Sequence, residues 1–177
     1  MRLFIAIELS ESVRAEVNNV LGELRQRACG GRFVPIENAH ITMQFLGETN
    51  DLAGAAEAMR RSCRGIRPFE VRLDRYGFIE KGGRGGTAVI FVRAENELNV
   101  LHETLQSALA DMGFKLDLKR FRPHITLGRS VEHDELVMGE LASIPLSASM
   151  TVTGLTLFES TREKGRVVYS ALHRERF

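Results

Sequence analysis

His40-Ile41-Thr42-Met43 and His124-Ile125-Thr126-Leu127 repeat one pattern, histidine, apolar, threonine, apolar, once in each half of the chain. Side chains alternate faces along a strand, so His40 and Thr42 share one face, as do His124 and Thr126. Ile41, Met43, Ile125 and Leu127 then point the other way, into a core. Two such strands related by a pseudo-twofold axis would line a groove with two imidazoles and two hydroxyls. An imidazole has an ordinary pKa of about 6.5, so one can be neutral and the other protonated near neutral pH. The neutral ring can take a proton from water, and the charged ring can give one to a leaving oxygen. The threonine hydroxyls can donate to non-bridging phosphate oxygens as negative charge builds there. The set suits in-line phosphoryl chemistry on a cyclic phosphate. It needs no metal, no carboxylate cluster stands near to hold one, and no cofactor is implied. The absence of a GxxxxGK[ST] loop disfavours nucleoside triphosphate hydrolysis. One His-x-Thr in a strand is ordinary surface polarity; the second copy in a matching context is what points to function.

The elements that must hold these residues can be read around them. Arg2–Leu9 reads as a strand. A helix follows from Ser10, its cap, to about Arg27, with Val13, Val17, Val20, Leu21 and Leu24 on one face and Cys29-Gly30-Gly31 as its stop. Phe33–Pro35 is a short extended piece, and His40–Leu46 is a strand ended by Gly47. Asp51 caps a second helix through about Cys63. Phe69–Leu73 and, after a bend, Tyr76–Ile79 read as β, as does Thr87–Val92; the glycine-rich 81–86 turn between them suggests a hairpin. A helix spans about Glu95–Met112, its stripe formed by Leu98, Leu101, Leu105 and Leu109. Pro123 introduces the strand His124–Arg129. A short helix at Asp134–Leu141 and two strands, Met150–Phe158 and Val167–Leu172, complete the chain. Short loops between strand pairs argue for α+β with largely antiparallel sheets.

The 177 residues fit a single domain over 1–177, with 44% hydrophobic and 27% charged residues as in ordinary globular chains. Net charge is +1, too little for a protein that coats nucleic acid, so any RNA contact should be confined to an end or a few nucleotides. Cys29 and Cys63 lie apart from each other and from histidines, which argues against a zinc site or a disulfide framework and for reduced thiols in a cytoplasmic protein. The apolar N-terminus is too short to span a membrane. A monomer is expected, since no sustained apolar stripe is left over. His102, His133 and His173 lack a threonine partner and read as surface or packing residues. Arg84 and its glycines read as a solvated turn before an RNA grip, and the polarity of Arg122 is explained by its place at a strand entry.

The repeated motifs, the opening Arg2–Ile7, Phe33-Val34, Glu37–Gly47, Gly113-Phe114, Phe121–Arg129, and Leu157–Ser160 ahead of Tyr169 together resemble the 2H phosphoesterase superfamily. Within it, the chain looks most similar to the RNA 2′,3′-cyclic phosphodiesterase, or 2′-5′ RNA ligase-like, branch. The resemblance implies a bilobal fold of two pseudo-twofold-related lobes with outer helices and a groove between them. It implies metal-independent hydrolysis of RNA 2′,3′-cyclic phosphate ends to 2′-phosphomonoesters, and a capacity for 2′-5′ ligation. It implies His40 as the acid toward the 3′ oxygen, His124 as the base on water, and Thr42 and Thr126 as phosphate ligands. It also implies that Phe45 and Arg129 flank the terminal base. An uninterrupted strand would turn both away from the groove, so bends are expected at Leu46-Gly47 and at Gly128. The chain departs from the family in having Phe33 where a tryptophan is common. Two other functions stay open at this point: a cyclic phosphodiesterase for a small nucleotide or a 2′-5′ oligonucleotide, and a non-catalytic module that binds a nucleotide or an RNA end.

Overall fold

The structure, a computed structural model, describes residues 1–79, 86–117, 119–132 and 134–177. Its strands are β1 (Arg2–Glu8), β2 (Gly30–Phe33), β3 (His40–Glu48), β4 (Phe69–Ile79), β5 (Gly86–Arg93), β6 (His124–Glu132), β7 (Ser149–Val152), β8 (Gly154–Glu163) and β9 (Arg166–Arg176). Its helices are α1 (Glu11–Arg27), α2 (Leu52–Cys63), α3 (Glu97–Asp111) and α4 (Glu135–Ala142). The fold is α+β, with strands in the order β7-β4-β5-β6-β3-β1-β8-β9 and β2 added beside β6. Every described strand pair is antiparallel.

The sheet divides at its middle. β3-β1-β8-β9 form one lobe and β6-β5-β4-β7 the other, and β3 meets β6 through the registered pair Ile41↔Ile125. The lobes are not halves of the chain. The hairpin β8–β9 returns from the C-terminus to pair with β1. The helices also cross over: α1 leaves the first lobe to pack on β7 and α4, while α2 and α3 pack together, α2 against β8 and β9. Buried apolar residues from both lobes and from the inner faces of the helices form one continuous cluster. Burial of this area is the main stabilising term.

Local chemistry sets the helix starts. Ser10 Oγ accepts from the Val13 amide at 3.3 Å, Asp51 Oδ1 from Gly54 at 2.8 Å and Asp134 Oδ1 from Val137 at 2.8 Å. Gly113, at φ +83°, ends α3 in a conformation that costs a residue with a Cβ. Tyr76–Ile79 continues the strand from Phe69 after a bend, which is a register shift between Leu73 and Arg75. Other boundaries differ from the sequence reading, and the last two strands run on to Glu163 and Arg176. The stretch expected as one strand from Met150 is two, because β7 pairs with β4 in one lobe and β8 with β1 in the other. The extended piece near Phe33 lies earlier, at Gly30–Phe33, where it pairs with β6. Most of the glycine-rich 81–86 turn, with Arg84, lies outside the described residues, as does His133.

Candidate active site

The seam between the lobes builds the site. Ile41 and Ile125 are each the second residue of their motif, and they face each other across β3 and β6. Both are almost wholly buried, at 1% and 0% exposure, so they clamp the seam from the core side. An antiparallel register continued one residue either way sets His40 against Thr126 and Thr42 against His124. All four side chains therefore share the opposite face, where each is partly buried. The pairing is possible because Ile-to-Ile contact rewards this register, while a slip by one would bury the histidines.

Both imidazoles are held by the same device. His40 Nδ1–H donates to the Asn38 carbonyl at 2.7 Å, and His124 Nδ1–H donates to the Arg122 carbonyl at 2.6 Å. In each motif the acceptor lies two residues before the histidine. With Nδ1 fixed as donor, Nε2 is the atom left for chemistry. His40 Nε2 sits 2.9 Å from Thr42 Oγ1. Burial pushes the pKa of both rings below the ordinary 6.5, and the carbonyl bonds pull each partly back. The positive charge of Arg129 lowers both further, joined by His124 acting on His40 and by Arg122 acting on His124.

Phe45 and Arg129 do share the histidine face, and the cause lies earlier than Leu46-Gly47. β1 pairs Ile5 with Gln44 and Ala6 with Thr42, so Met43 is an extra residue in β3. β5 pairs Ala88 with Gly128 and Val89 with Thr126, so Leu127 is extra in β6. Each bulge falls at the fourth motif residue and shifts the alternation that follows it. Met43 with Gln44 and Leu127 with Gly128 are consecutive buried pairs, and Phe45 and Arg129 turn out to the groove. A register shift does occur at Leu46, but after Phe45 has turned. Because β3 and β6 run antiparallel, Phe45 and Arg129 extend the groove toward opposite ends.

Phe4, Phe158 and Tyr169 form a wall that the motif reading did not assign to the site. The Phe4 ring centroid lies 4.9 Å from His40, 5.9 Å from Phe45, 5.3 Å from Phe158 and 4.8 Å from Tyr169. Tyr169 also stands edge-on to His40 at 5.4 Å. The signal was in β1, whose alternation puts Phe4, Ala6 and Glu8 on the histidine face. Glu8 lies opposite His40 and accepts from Thr156 Oγ1 at 2.6 Å and Arg174 Nε at 2.8 Å. Arg174 holds this carboxyl below the usual carboxylate range, against the effect of burial.

His102 and His173 make their contacts away from the seam. His102 is buried on α3 and stacks on Phe121 at 4.0 Å, and His173 pairs with Glu175 at 3.1 Å. Among the described residues, no group of three His, Cys, Asp or Glu side chains converges as a metal site would require. Cys29 and Cys63 are free thiols. Phe33 lies opposite Gly128 with the Arg25 guanidinium 5.9 Å from its ring centroid. No helix among the described residues is long and apolar enough to cross a membrane.

Two antiparallel strands that meet at their His-x-Thr-x motifs, each bulged just after the threonine, define a two-histidine phosphoesterase-type groove. The chain belongs to the 2′-5′ RNA ligase superfamily, whose description it matches over residues 10–164. It is 35% identical over 129 residues to an RNA 2′,3′-cyclic phosphodiesterase of Archaeoglobus fulgidus, covering 73% of this chain and 72% of the relative. A crystal structure of a protein from Thermus thermophilus superposes with a TM-score of 0.81 at 28% identity, covering 98% of this chain and 96% of the other. Escherichia coli LigT complexed with 3′-AMP superposes with a TM-score of 0.71 at 28% identity, covering 99% and 96%.

Proposed function

We propose that the chain hydrolyses 2′,3′-cyclic phosphates at RNA ends to 2′-phosphomonoesters. The observation that carries this reading is the matched pair of imidazoles, each tied at Nδ1 to a backbone carbonyl, with Nε2 turned to a shared groove. Water adds to phosphorus in line with the 3′ oxygen. His124 Nε2 takes the water proton, the P–O3′ bond breaks, and His40 Nε2 gives its proton to O3′. The products are a 2′-phosphate and a free 3′ hydroxyl, and proton exchange with solvent resets the rings. Thr42 and Thr126 donate to the non-bridging oxygens. Such acid–base help contributes about 10²–10⁴-fold. The 5′ hydroxyl of a second RNA in the place of water would form a 2′-5′ linkage by the same steps.

Phe45, 54% exposed beside Phe4, offers a stacking surface for the terminal base. Arg129, whose charge is felt by both imidazoles, offers a counter-charge at the other end of the groove. The name of the A. fulgidus relative and the 3′-AMP bound to LigT support a nucleotide substrate. The test is hydrolysis of a short RNA bearing a 2′,3′-cyclic phosphate, with EDTA present, by the parent, His40→Ala and His124→Ala. Turnover to a 2′-phosphate in the parent and its loss in both variants is the expected result. A parent that leaves the cyclic end intact from pH 5 to 9 would overturn the reading.

A further inference from the structure

The lobes match at the seam and differ at the positions beside the two histidines. Glu8 lies opposite His40 in β1, and Phe91 lies opposite His124 in β5. On the first lobe this position is acidic and engaged with Thr156 and Arg174. On the second it is aromatic and surrounded by cations. The Phe91 ring rests against the β4 backbone because Gly77 leaves room; a Cβ at Gly77 would come within 2.3 Å of a ring carbon. The guanidiniums of Arg75 and Arg122 lie over this ring at 5.2 and 4.9 Å. Arg75 is also the β4 partner of Phe91. A row, His124–Phe91–Arg75, thus leads from the seam across three strands, about 10 Å for two strand spacings.

At the Phe91–Arg75 end of this row opens a cavity of about 570 Å³, which Arg122 and Pro123, next to His124, and also Arg93 and Arg120 line. Asp74 and Glu95 are the carboxylates among its lining residues. Asp74 accepts from both Arg75, at 2.6 Å, and Arg93, at 2.7 Å, so positive charge remains in excess. In a chain of net charge +1 this is a local concentration. A guanidinium carries five N–H donors, so one that rests on an aromatic ring or pairs with a single carboxylate keeps donors to spare, and these match phosphate oxygens.

We propose that this cavity binds the phosphate joining the terminal cyclic nucleotide to the rest of an RNA strand. The protein then favours oligonucleotide ends over mononucleoside cyclic phosphates. This deepens, and rests on, the reading of the groove as a cyclic phosphodiesterase site. The strand leaves over the second lobe, where cations are in excess, since on the first the Glu8 carboxylate takes up the charge of Arg174.

The experiment compares kcat/KM for adenosine 2′,3′-cyclic phosphate with that for a short oligoribonucleotide ending in the same group. It uses the parent and the double variant Arg75→Gln/Arg120→Gln, with melting curves to confirm folding. Both side chains are exposed and neither belongs to the seam. The parent should prefer the oligonucleotide. The double variant should lose about tenfold on it, the size of one charge-assisted hydrogen bond, and keep its activity on the mononucleotide. Its salt dependence on the oligonucleotide should also flatten, by ~0.7 in log–log slope for one lost phosphate contact. Equal parent activity on both substrates, or equal losses on both in the variant, would overturn the cavity's role and leave the hydrolytic reading standing. If the parent turns over neither substrate, the hydrolytic reading fails. Binding of the same oligonucleotide with a 2′-phosphate end then decides: weaker binding by the variant supports the cavity, and unchanged binding refutes it.

Discussion

Replacing Thr42 by valine removes one oxygen from the groove and little else. Valine keeps the β-branched shape that a strand favours. Thr42 is half-buried, and its hydroxyl is 2.9 Å from His40 Nε2. A single side-chain hydrogen bond of this kind contributes about 1 kcal/mol to folding, so melting should move by only a few degrees. The chemistry should respond far more. A hydroxyl aimed at developing phosphate charge acts as a preorganised donor, and losing one costs about 10²–10³ in kcat, or about 3–4 kcal/mol of barrier. The assay is hydrolysis of the cyclic-phosphate RNA under saturating substrate with EDTA present, with kcat and KM measured separately. Thr42→Ser, which keeps the oxygen, should recover most of the rate. A loss in Thr42→Val below threefold, or a loss that serine does not repair, would refute the donor role and reduce Thr42 to packing.

The pH profile of kcat/KM should be a bell displaced to the acid side, since burial lowers both His40 and His124. His124 must be neutral, which sets the acid limb, and His40 must be protonated, which sets the alkaline limb. Arg129→Gln removes a positive charge that disfavours protonation of both rings, so both limbs should move to higher pH; unmoved limbs would contradict the assignment. Ile125→Ala should cost about 2–5 kcal/mol in denaturant unfolding, as buried large-to-small changes do. It should also lower activity per folded molecule, whereas Leu105→Ala, equally buried on α3, should lose only stability. Phe45→Ala should weaken binding of a purine-ended substrate by about 1–3 kcal/mol, the worth of one base–aromatic stack, read as a change in KM with little change in kcat.

Much of the site was legible in the chain because its signals are local. Two His-x-Thr-x segments of strand-forming residues announce two strands with a polar and an apolar face, and that fixed the four central side chains. The caps at Ser10, Asp51 and Asp134 were equally legible, since a cap is a contact between residues three apart. Other features depend on partners distant in sequence. The bulges at Met43 and Leu127 exist only relative to β1 and β5, so the turn of Phe45 and Arg129 into the groove could be expected but not located. Phe4 and Tyr169 meet beside His40 because β8–β9 returns to β1 from the far end of the chain. The same holds for the contrast between Glu8 and Phe91: each follows from strand register, and only their placement opposite equivalent histidines shows that one side of the groove is acidic at this position and the other aromatic and ringed by cations. Alternation along a strand is determined by the chain itself, because bonded geometry sets it. Which strand lies alongside, and at what register, is decided by the burial of Ile41 against Ile125 and of the apolar faces around them, a property of the assembled tertiary structure.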